Sequence, residues 1–479
     1  MHFFDVTDIM FYVERHTTIS GIQRVSFEVI KRMIERHGVQ AVRLSYWDRK
    51  RREYLSVEAS FMAEMTGFDP DVWSAVFYGH RARPQASTAP TLHRYRNHPL
   101  KYRLHALRRM YHALRGNEAH FKKHGSSIAE WRSFRPSAQP SPTSNLSNLE
   151  RKRVLDVAQH GDHLVVLGAT WSIDGIEECF QKLKDYRGME ISQLIHDLIP
   201  ITTPEHIASD FSEDFYHWLK TSSGYCARYF ANSKNTARDL ASFMEEIGVV
   251  RPIKTVPLAQ DFYVAEGHAP ARGAGSHADP GTTYKSRVDR NIGLRRDILN
   301  LSKMPFVLVV GTMESRKNLW RLAQAWLRLS CEKGLDLPKL VFAGRPGWYN
   351  EDFNQFIKAT GNLGGWIQFA DHPSDAELAY LYETCLFTAT VSFYEGWGLP
   401  IGESLFFGKT AVVAHNSSMP EVGGDMVEYC DAHSIDSIHA ACRKLIAEPD
   451  HRAALETKIA NTRLRSWDDV TSDFVDILS

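Results

Sequence analysis

The chain predicts an α/β protein made of two doubly wound, parallel-sheet domains in tandem, and three observations lead there. Short apolar runs alternate with helical patterns from residue 3 onward, as parallel sheets wrapped by helices do. The alternation restarts at residues 306–310, Phe-Val-Leu-Val-Val. A length of 479 residues exceeds what one hydrophobic core usually supports.

In the first half the strand candidates are residues 3–6, 42–46, 163–167, 190–195, 229–231 and 253–256, and Ser233 can cap the helix that runs on through Leu240. In the second they are residues 306–310, 339–343, 366–369, 386–393 and 410–414. Ser374-Asp-Ala-Glu377 reads as a capping box opening a helix over Leu378 and Leu381. Residues 265–291, rich in Gly, Ala, Pro, His and Asp, suit neither periodic structure and read as a linker or loop. A second breaker-rich tract, 133–147, has too little apolar surface to offset its ordering entropy and is expected disordered or extended. The last segment, 467–478, has amphipathic spacing at Val470, Phe474 and Ile477.

Lysine plus arginine equals aspartate plus glutamate at 57 each, which removes any global charge argument for a nucleic-acid partner. The six cysteines, Cys179, Cys226, Cys331, Cys385, Cys430 and Cys442, show no metal-type spacing and suggest a reducing compartment without structural zinc. Asp5, Asp8 and Glu14 interrupt the apolar run that a signal peptide needs. With no stretch of about twenty uncharged apolar residues, the protein is expected in the cytoplasm, free or peripheral on the inner face of the membrane.

The most informative run is Phe393-Tyr-Glu-Gly-Trp-Gly-Leu-Pro-Ile-Gly-Glu403. It follows a buried strand; Gly396 and Gly398 permit a tight bend, and Pro400 suits the first turn of a helix. The free N–H groups of that helix start favour a phosphate. Glu395, just before the turn, can accept hydrogen bonds from sugar hydroxyls, and Glu403, one turn in, from a ribose. A second turn, Gly311-Thr-Met-Glu-Ser-Arg-Lys-Asn318, precedes a helix with apolar positions Leu319, Leu322, Trp326 and Leu329, for which Asn318 is a plausible cap. Arg316 and Lys317 would repel one another unless an anion lay between them, which makes them candidate diphosphate ligands. Ile195-His-Asp-Leu-Ile-Pro200 closes a strand at its carboxyl end, the edge where open parallel sheets bind ligands, so His196 points into the cleft. Thr18-Ile-Ser-Gly-Ile-Gln-Arg24 opens a helix with core positions Ile22, Val25, Val29 and Met33.

These motifs resemble the GT-B retaining glycosyltransferases, specifically the group 4 family with its bacterial mannosyltransferases. The Glu-x7-Glu pair, the Gly-Thr-x-Glu-x-Arg-Lys-Asn loop, the His-Asp-x-x-Pro element, the Thr-Gly-x-x-Arg-Val-like entry and the Ser-x-x-Pro-Glu-x-x-Gly-like run Asn416-Ser-Ser-Met-Pro-Glu-Val-Gly-Gly-Asp425 carry the likeness. It implies two Rossmann-like domains facing a cleft: residues 1–262 on the acceptor side with a basic insertion near 80–150, a linker at 263–291, a nucleotide-sugar domain at 292–460, and a terminal helix at 461–479 crossing back to the first domain. It further implies His196, Arg316, Lys317 and Glu395 as catalytic residues. Gly21, Gly311, Arg345, Trp348, Gly396, Gly398, Leu399 and Glu403 fall on the donor side, with Trp348 placed to stack on the base or simply to close a turn. Asp197 and Arg24 fall on the acceptor side.

The activity so implied is retaining transfer of a hexose, best matched by mannose from GDP-mannose, to a glycan or lipid-linked acceptor in bacterial polysaccharide synthesis. No cofactor or metal is implied, because Arg316, Lys317 and the helix starts can stabilise the leaving diphosphate. Asp69-Pro-Asp71 reads as a helix cap, not a metal site. A catalytically inactive sugar-nucleotide scaffold and another GT-B chemistry, such as sucrose-type synthesis or nucleotide-sugar epimerisation, are the alternatives. Residues 80–123 hold eleven Lys or Arg against one acid, Glu118, and 99–124 is amphipathic through Leu100, Leu104, Leu107, Tyr111 and Leu114. An anionic membrane surface is the expected partner of that stretch, with an ordinary surface or oligomer helix as the alternative.

Overall fold

A computed structural model describes residues 1–14, 16, 19, 21–79, 92, 99–122, 128, 131, 149–262 and 294–478. The tracts 133–147 and 265–291, Thr18 and Ser20 lie outside them. The chain divides into two compact units. One comprises Met1–Ile9, Ser20–Gly67 and Arg151–Ser479 and contains both sheets; the other comprises Met10–Ile19 and Phe68–Glu150.

The first sheet has eight strands: β1 (His2–Asp5), β2 (Val42–Asp48), β3 (Glu53–Glu58), β4 (Lys152–Arg153), β5 (His163–Val166), β6 (Glu190–Ile195), β7 (Cys226–Ala231) and β8 (Ile253–Thr255). Their order is β4-β3-β2-β1-β5-β6-β7-β8. The six strands β2, β1, β5, β6, β7 and β8 are parallel, as expected of a doubly wound domain, and β3 and β4 extend the β2 edge antiparallel. The β2–β3 hairpin closes through Arg52 in the left-handed region (φ 53), a position without the glycine or asparagine that announces such turns.

The second sheet is parallel throughout, in the order β11-β10-β9-β12-β13-β14. Its strands are β9 (Phe306–Val310), β10 (Lys339–Gly344), β11 (Ile367–Asp371), β12 (Thr388–Thr390), β13 (Ala411–Ala414) and β14 (Glu428–Cys430). Strand order reverses between β9 and β12, so a crevice opens outside their carboxyl ends. The helix Leu319–Ser330 covers this sheet with Leu319, Leu322, Trp326 and Leu329 all buried. Trp326 satisfies its indole N–H on the Pro338 carbonyl at 3.2 Å.

Local capping follows the sequence. Ser233 accepts from the Thr236 N–H, Ser374 and Glu377 form the capping box, and Asp69 accepts from the N–H groups of Asp71 and Val72. The helix Gly21–His37 departs from its simple amphipathic reading. Val25, Val29 and Met33 are buried but Ile22 only partly, whereas Gln23, Arg24, Ser26 and Glu28 are buried too. Contacts with the second half and with the last helix cover what would otherwise be its polar face.

That last helix, Trp467–Leu478, lies against the first sheet: Phe474 meets Phe230 edge to face at 4.7 Å, and Arg228 donates to the Ile477 carbonyl at 2.6 Å. Arg36 binds the Ser472 hydroxyl and the Asp468 carbonyl. Among the described residues no helix is long and apolar enough to cross a membrane, and no cluster of three or more metal-type ligands occurs. Phe474→Ala should empty a fully buried ring site and cost about 3–5 kcal/mol. Chemical denaturation of the full-length chain reads this directly, and a loss below about 1 kcal/mol would mean the helix does not hold this position.

Candidate active site

At the end of β9, Gly311 takes φ +138, a backbone region that side chains rarely occupy. The chain then forms a single 3-10 turn, Ser315–Lys317, which presents Arg316 and Lys317. Asn318 does not cap the next helix. It is left-handed (φ 59), and its side-chain amide donates to the carbonyls of Val391 (3.0 Å) and Ala432 (2.7 Å), tying the loop to the chain beyond β12. Behind this loop, β-carbons at Gly344 and Gly347 would fall 1.9 Å from the Gly311 carbonyl oxygen and 2.4 Å from that of Met313. Glycine is therefore required there for the 311–314 and 344–347 segments to interlock.

Arg316 and Lys317 do have an anion between them, and the chain supplies it. Glu395 receives Lys317 Nζ at 2.6 Å and Arg316 Nη1 at 3.0 Å, and Glu314 takes Arg316 Nη2 at 2.5 Å. The Ser392 hydroxyl donates to Glu395 at 2.6 Å, and Ser417 and Ser418 fix its backbone. Burial alone would push the Glu395 carboxyl up, but Arg316 and Lys317 outweigh it and hold the group at about 2. Arg316 is shifted upward: burial disfavours its charge, yet Glu395, Glu314 and Asp197 more than compensate. The repulsion between the two cations is thus already relieved without a phosphate.

Glu403 serves a different partner set. Its carboxylate takes Arg24 Nη1 at 3.2 Å and the Tyr382 hydroxyl at 2.7 Å, while Arg24 Nη2 also reaches Asp375 at 3.1 Å. Burial raises the Glu403 carboxyl in spite of Arg24. Glu395 and Glu403, eight residues apart, therefore face separate cations, and both Glu403 oxygens are engaged within the chain. Arg24, expected on the acceptor side, joins the helix Gly21–His37 to the helices Asp375–Thr384 and Leu399–Phe406. Removing one member of such a buried pair generally costs about 3–5 kcal/mol.

His196 and Asp197 follow β6 and meet the Glu395 turn. A β-carbon at Gly396 would lie 2.1 Å from the His196 carbonyl oxygen and 2.8 Å from Asp197 Cβ. The Thr236 hydroxyl reaches the carbonyls of Gly396 (3.3 Å) and His196 (3.5 Å). The His196 ring is buried and hydrogen-bonded through Nε2 to the Leu167 carbonyl at 2.7 Å. Burial pulls its pKa down to about 4, so the imidazole is neutral at physiological pH. Its Nε2 is then the N–H donor and Nδ1 the acceptor. Burial raises Asp197, partly offset by Arg316.

The remaining sequence candidates are placed as follows. Gly398 is left-handed (φ 99) at the start of the helix Leu399–Phe406. Gly21 starts its own helix with its α-carbon turned toward the Leu399 side chain, where a β-carbon would meet Cδ1 at 3.2 Å. Trp348 is half exposed, and its indole donates to the His206 carbonyl at 3.2 Å. Arg345 is partly buried and its carbonyl accepts from the Met313 N–H at 2.8 Å. A small recess with about 10 Å³ of free space lies over β9 and β12, lined by Gly311, Thr312, Lys317, Thr390 and Ser392 and by apolar side chains such as Val309, Leu319 and Phe342.

Several residues escape the motif reading. Glu421 accepts from the backbone N–H groups of Lys234 (2.8 Å) and Asn235 (2.9 Å), capping the helix Lys234–Glu246 from the other half. The Tyr394 hydroxyl bonds Asp239 and Asn235. His206 stacks on Phe393 at 5.3 Å and hydrogen-bonds Ser315 at 2.9 Å. Glu421 and Glu314 lie within quoted motifs; nothing local marks Asn235, Asp239 or His206, whose bonds to Tyr394 and Ser315 span more than a hundred residues.

Residues 293–462 match the family of glycosyl transferases group 1. The match falls on the part of the chain that builds the second sheet. Over 171 residues the chain is 32% identical to O-antigen chain mannosyltransferase B of Escherichia coli, covering 36% of this chain and 44% of that protein. Over 211 residues it is 25% identical to the serotype-specific mannosyltransferase WbdA of Escherichia coli, covering 44% of this chain and 24% of the other. The chain thus spans less than half the length of each of these relatives. HepE of Anabaena, solved with UDP and glucose, superposes over 100% of this chain and 98% of its own with a TM-score of 0.54 at 12% identity. That likeness is one of fold, and the fold is GT-B. The Arg316–Lys317–Glu395 cluster and the small recess over β9 and β12 both fall within the matched residues.

Two outcomes test this geometry. Gly396→Ala places a methyl group against the His196 backbone, and the overpacking should lower the melting temperature through a loss of about 1–3 kcal/mol; an unchanged melt would refute the contact. The neutral His196 gives a pH dependence whose sign is fixed. The unfolded chain takes up the proton near 6.5 but the folded chain only near 4, so stability falls as pH drops through that window. Urea denaturation should show about 2 kcal/mol lost from this source between pH 7.5 and pH 5, and His196→Asn should remove that share of the slope.

Proposed function

We propose that this protein is a retaining glycosyltransferase that moves a hexose from a nucleotide diphosphate sugar to a glycan or lipid-linked acceptor in bacterial polysaccharide synthesis. Mannose from GDP-mannose is the donor we favour, on the strength of the two mannosyltransferases to which the chain is similar. The single observation that carries the reading is the buried Arg316–Lys317–Glu395 cluster at the strand-order reversal of the second sheet. Two cations at the carboxyl ends of β9 and β12, where open parallel sheets bind ligands, suit a diphosphate.

In this mechanism the donor's diphosphate replaces Glu395 as the partner of Arg316 and Lys317. Exchange of one anion for another keeps the cations neutralised and frees the Glu395 carboxylate to accept from sugar hydroxyls. As the glycosidic C–O bond breaks, negative charge grows on the distal phosphate, where Arg316, Lys317 and the start of the helix Leu399–Phe406 stabilise it. The chain's own cations do this work, so the reaction is proposed to be metal-independent. The leaving phosphate accepts the acceptor hydroxyl's proton while that oxygen attacks from the same face. A neutral His196 beside the turn adds no positive charge to a developing oxocarbenium and offers Nδ1 to it or to a sugar hydroxyl. No covalent intermediate is invoked. Donor supply places the enzyme in the cytoplasm.

Thermal stabilisation by a panel of nucleoside diphosphates and their sugars identifies the donor, with GDP and GDP-mannose expected to give the largest shifts. In a transfer assay with that donor, Glu395→Ala, Lys317→Ala and His196→Ala should each lower kcat/KM by about 100-fold or more, and the product should keep the donor's anomeric configuration. Full activity in all three variants would end the proposal. Donor binding without hydrolysis or transfer would identify a scaffold instead.

A further inference from the structure

The helix Pro99–Leu114 of the smaller unit turns its apolar stripe outward. Leu104, Leu107 and Leu114 are 67%, 58% and 77% exposed, and Met110 and Tyr111 are about half exposed. Leu104, Leu107, Tyr111 and Leu114 fall along one side at helical spacing. The opposite side faces the protein through Arg109 and Ala113, both buried. Arg109 sets its guanidinium 5.8 Å from the centre of the Phe121 ring, which joins Ala113 and Ile128 in a small core. An amphipathic helix that served only to close a core would lie the other way round.

The borders of the stripe are cationic. At 100° per residue, Arg103 follows one edge, while Lys101, Arg108 and Arg115 follow the other. All four are exposed, and Arg115 covers the Tyr111 ring at 4.6 Å. Residues 99–117 contain no acid. Contiguous exposed apolar surface marks a contact, and its charge selects the partner. Nucleic acid would satisfy the cations but leave the leucines in water. A second copy would bury the leucines but oppose two identical rows of cations. An anionic bilayer satisfies both, because leucines can enter the acyl boundary while the cations remain at the level of the phosphates.

We propose that the helix Pro99–Leu114 docks flat on an anionic lipid surface. The docking rests on this helix alone and stands or falls independently of the donor chemistry. Co-sedimentation of the full-length protein with vesicles tests it. Wild type should pellet with vesicles of phosphatidylglycerol and phosphatidylcholine, and should stay in the supernatant with phosphatidylcholine alone or when salt is raised to about 0.5 M. The variant L104Q/L107Q/L114Q and, separately, R103Q/R108Q/R115Q should each bind at least tenfold more weakly, roughly fivefold being expected per cation. Both variants should melt as the wild type does, since every substituted side chain is exposed. Failure of the wild type to pellet with the anionic vesicles, or undiminished binding by the leucine variant, would overturn the proposal. So would a dimer in sedimentation analysis that the leucine variant abolishes and anionic vesicles do not dissociate.

Discussion

Two positive side chains adjacent in sequence and mostly withdrawn from water are unfavourable twice over, through desolvation and through mutual repulsion, and the second half of this protein is arranged to relieve both. Glu395 stands between Arg316 and Lys317, and Glu314 takes the far side of the guanidinium. The serines at 392, 417 and 418 hold the Glu395 side chain and backbone in place. The turn that begins at Gly396 inherits its position from that anchorage, and so does its contact with the chain after β6. A buried charge cluster of this kind adds little to stability over an apolar packing, because desolvation consumes most of the attraction.

How much was legible beforehand depended on the range of the forces involved. The apolar runs of the buried strands, the helix caps at Ser233, Ser374 and Asp69, and the apolar stripe of the helix Leu319–Ser330 are local patterns within a few residues, so the string displays them. The run 386–393 reads as one long strand, but only Thr388–Thr390 pairs as strand. Beyond it the Phe393 N–H leaves the ladder and donates to the Arg316 carbonyl at 2.9 Å, a partner set by the loop after β9. The antiparallel β3 and β4 have no local signature for a related reason: a four-residue turn of Arg and Lys carries no conventional signal, and β4 follows a long excursion through the smaller unit.

The site shows the same division. Gly396, Glu395, Arg316 and Lys317 were identifiable as candidates from local chemistry, but not the fact that the last three neutralise one another. Arg24 and Glu403 are 379 residues apart, and no local pattern announces their pairing. Glu421 is plain as part of a motif, yet its role as the cap of a helix in the other half depends on how the two sheets are brought together. The neutral state of His196 likewise comes from burial under segments remote in sequence, so the charge of that ring is a property of the fold and not of the motif.

Gly396 has no room for even one carbon beyond its α-carbon, because the peptide after β6 occupies that volume. Evolutionary drift at this position is therefore chained to drift in the His196–Asp197 peptide: a lineage that replaces the glycine has to re-route that peptide in step. Among descendants of this sequence, the two segments should change together or stay frozen together.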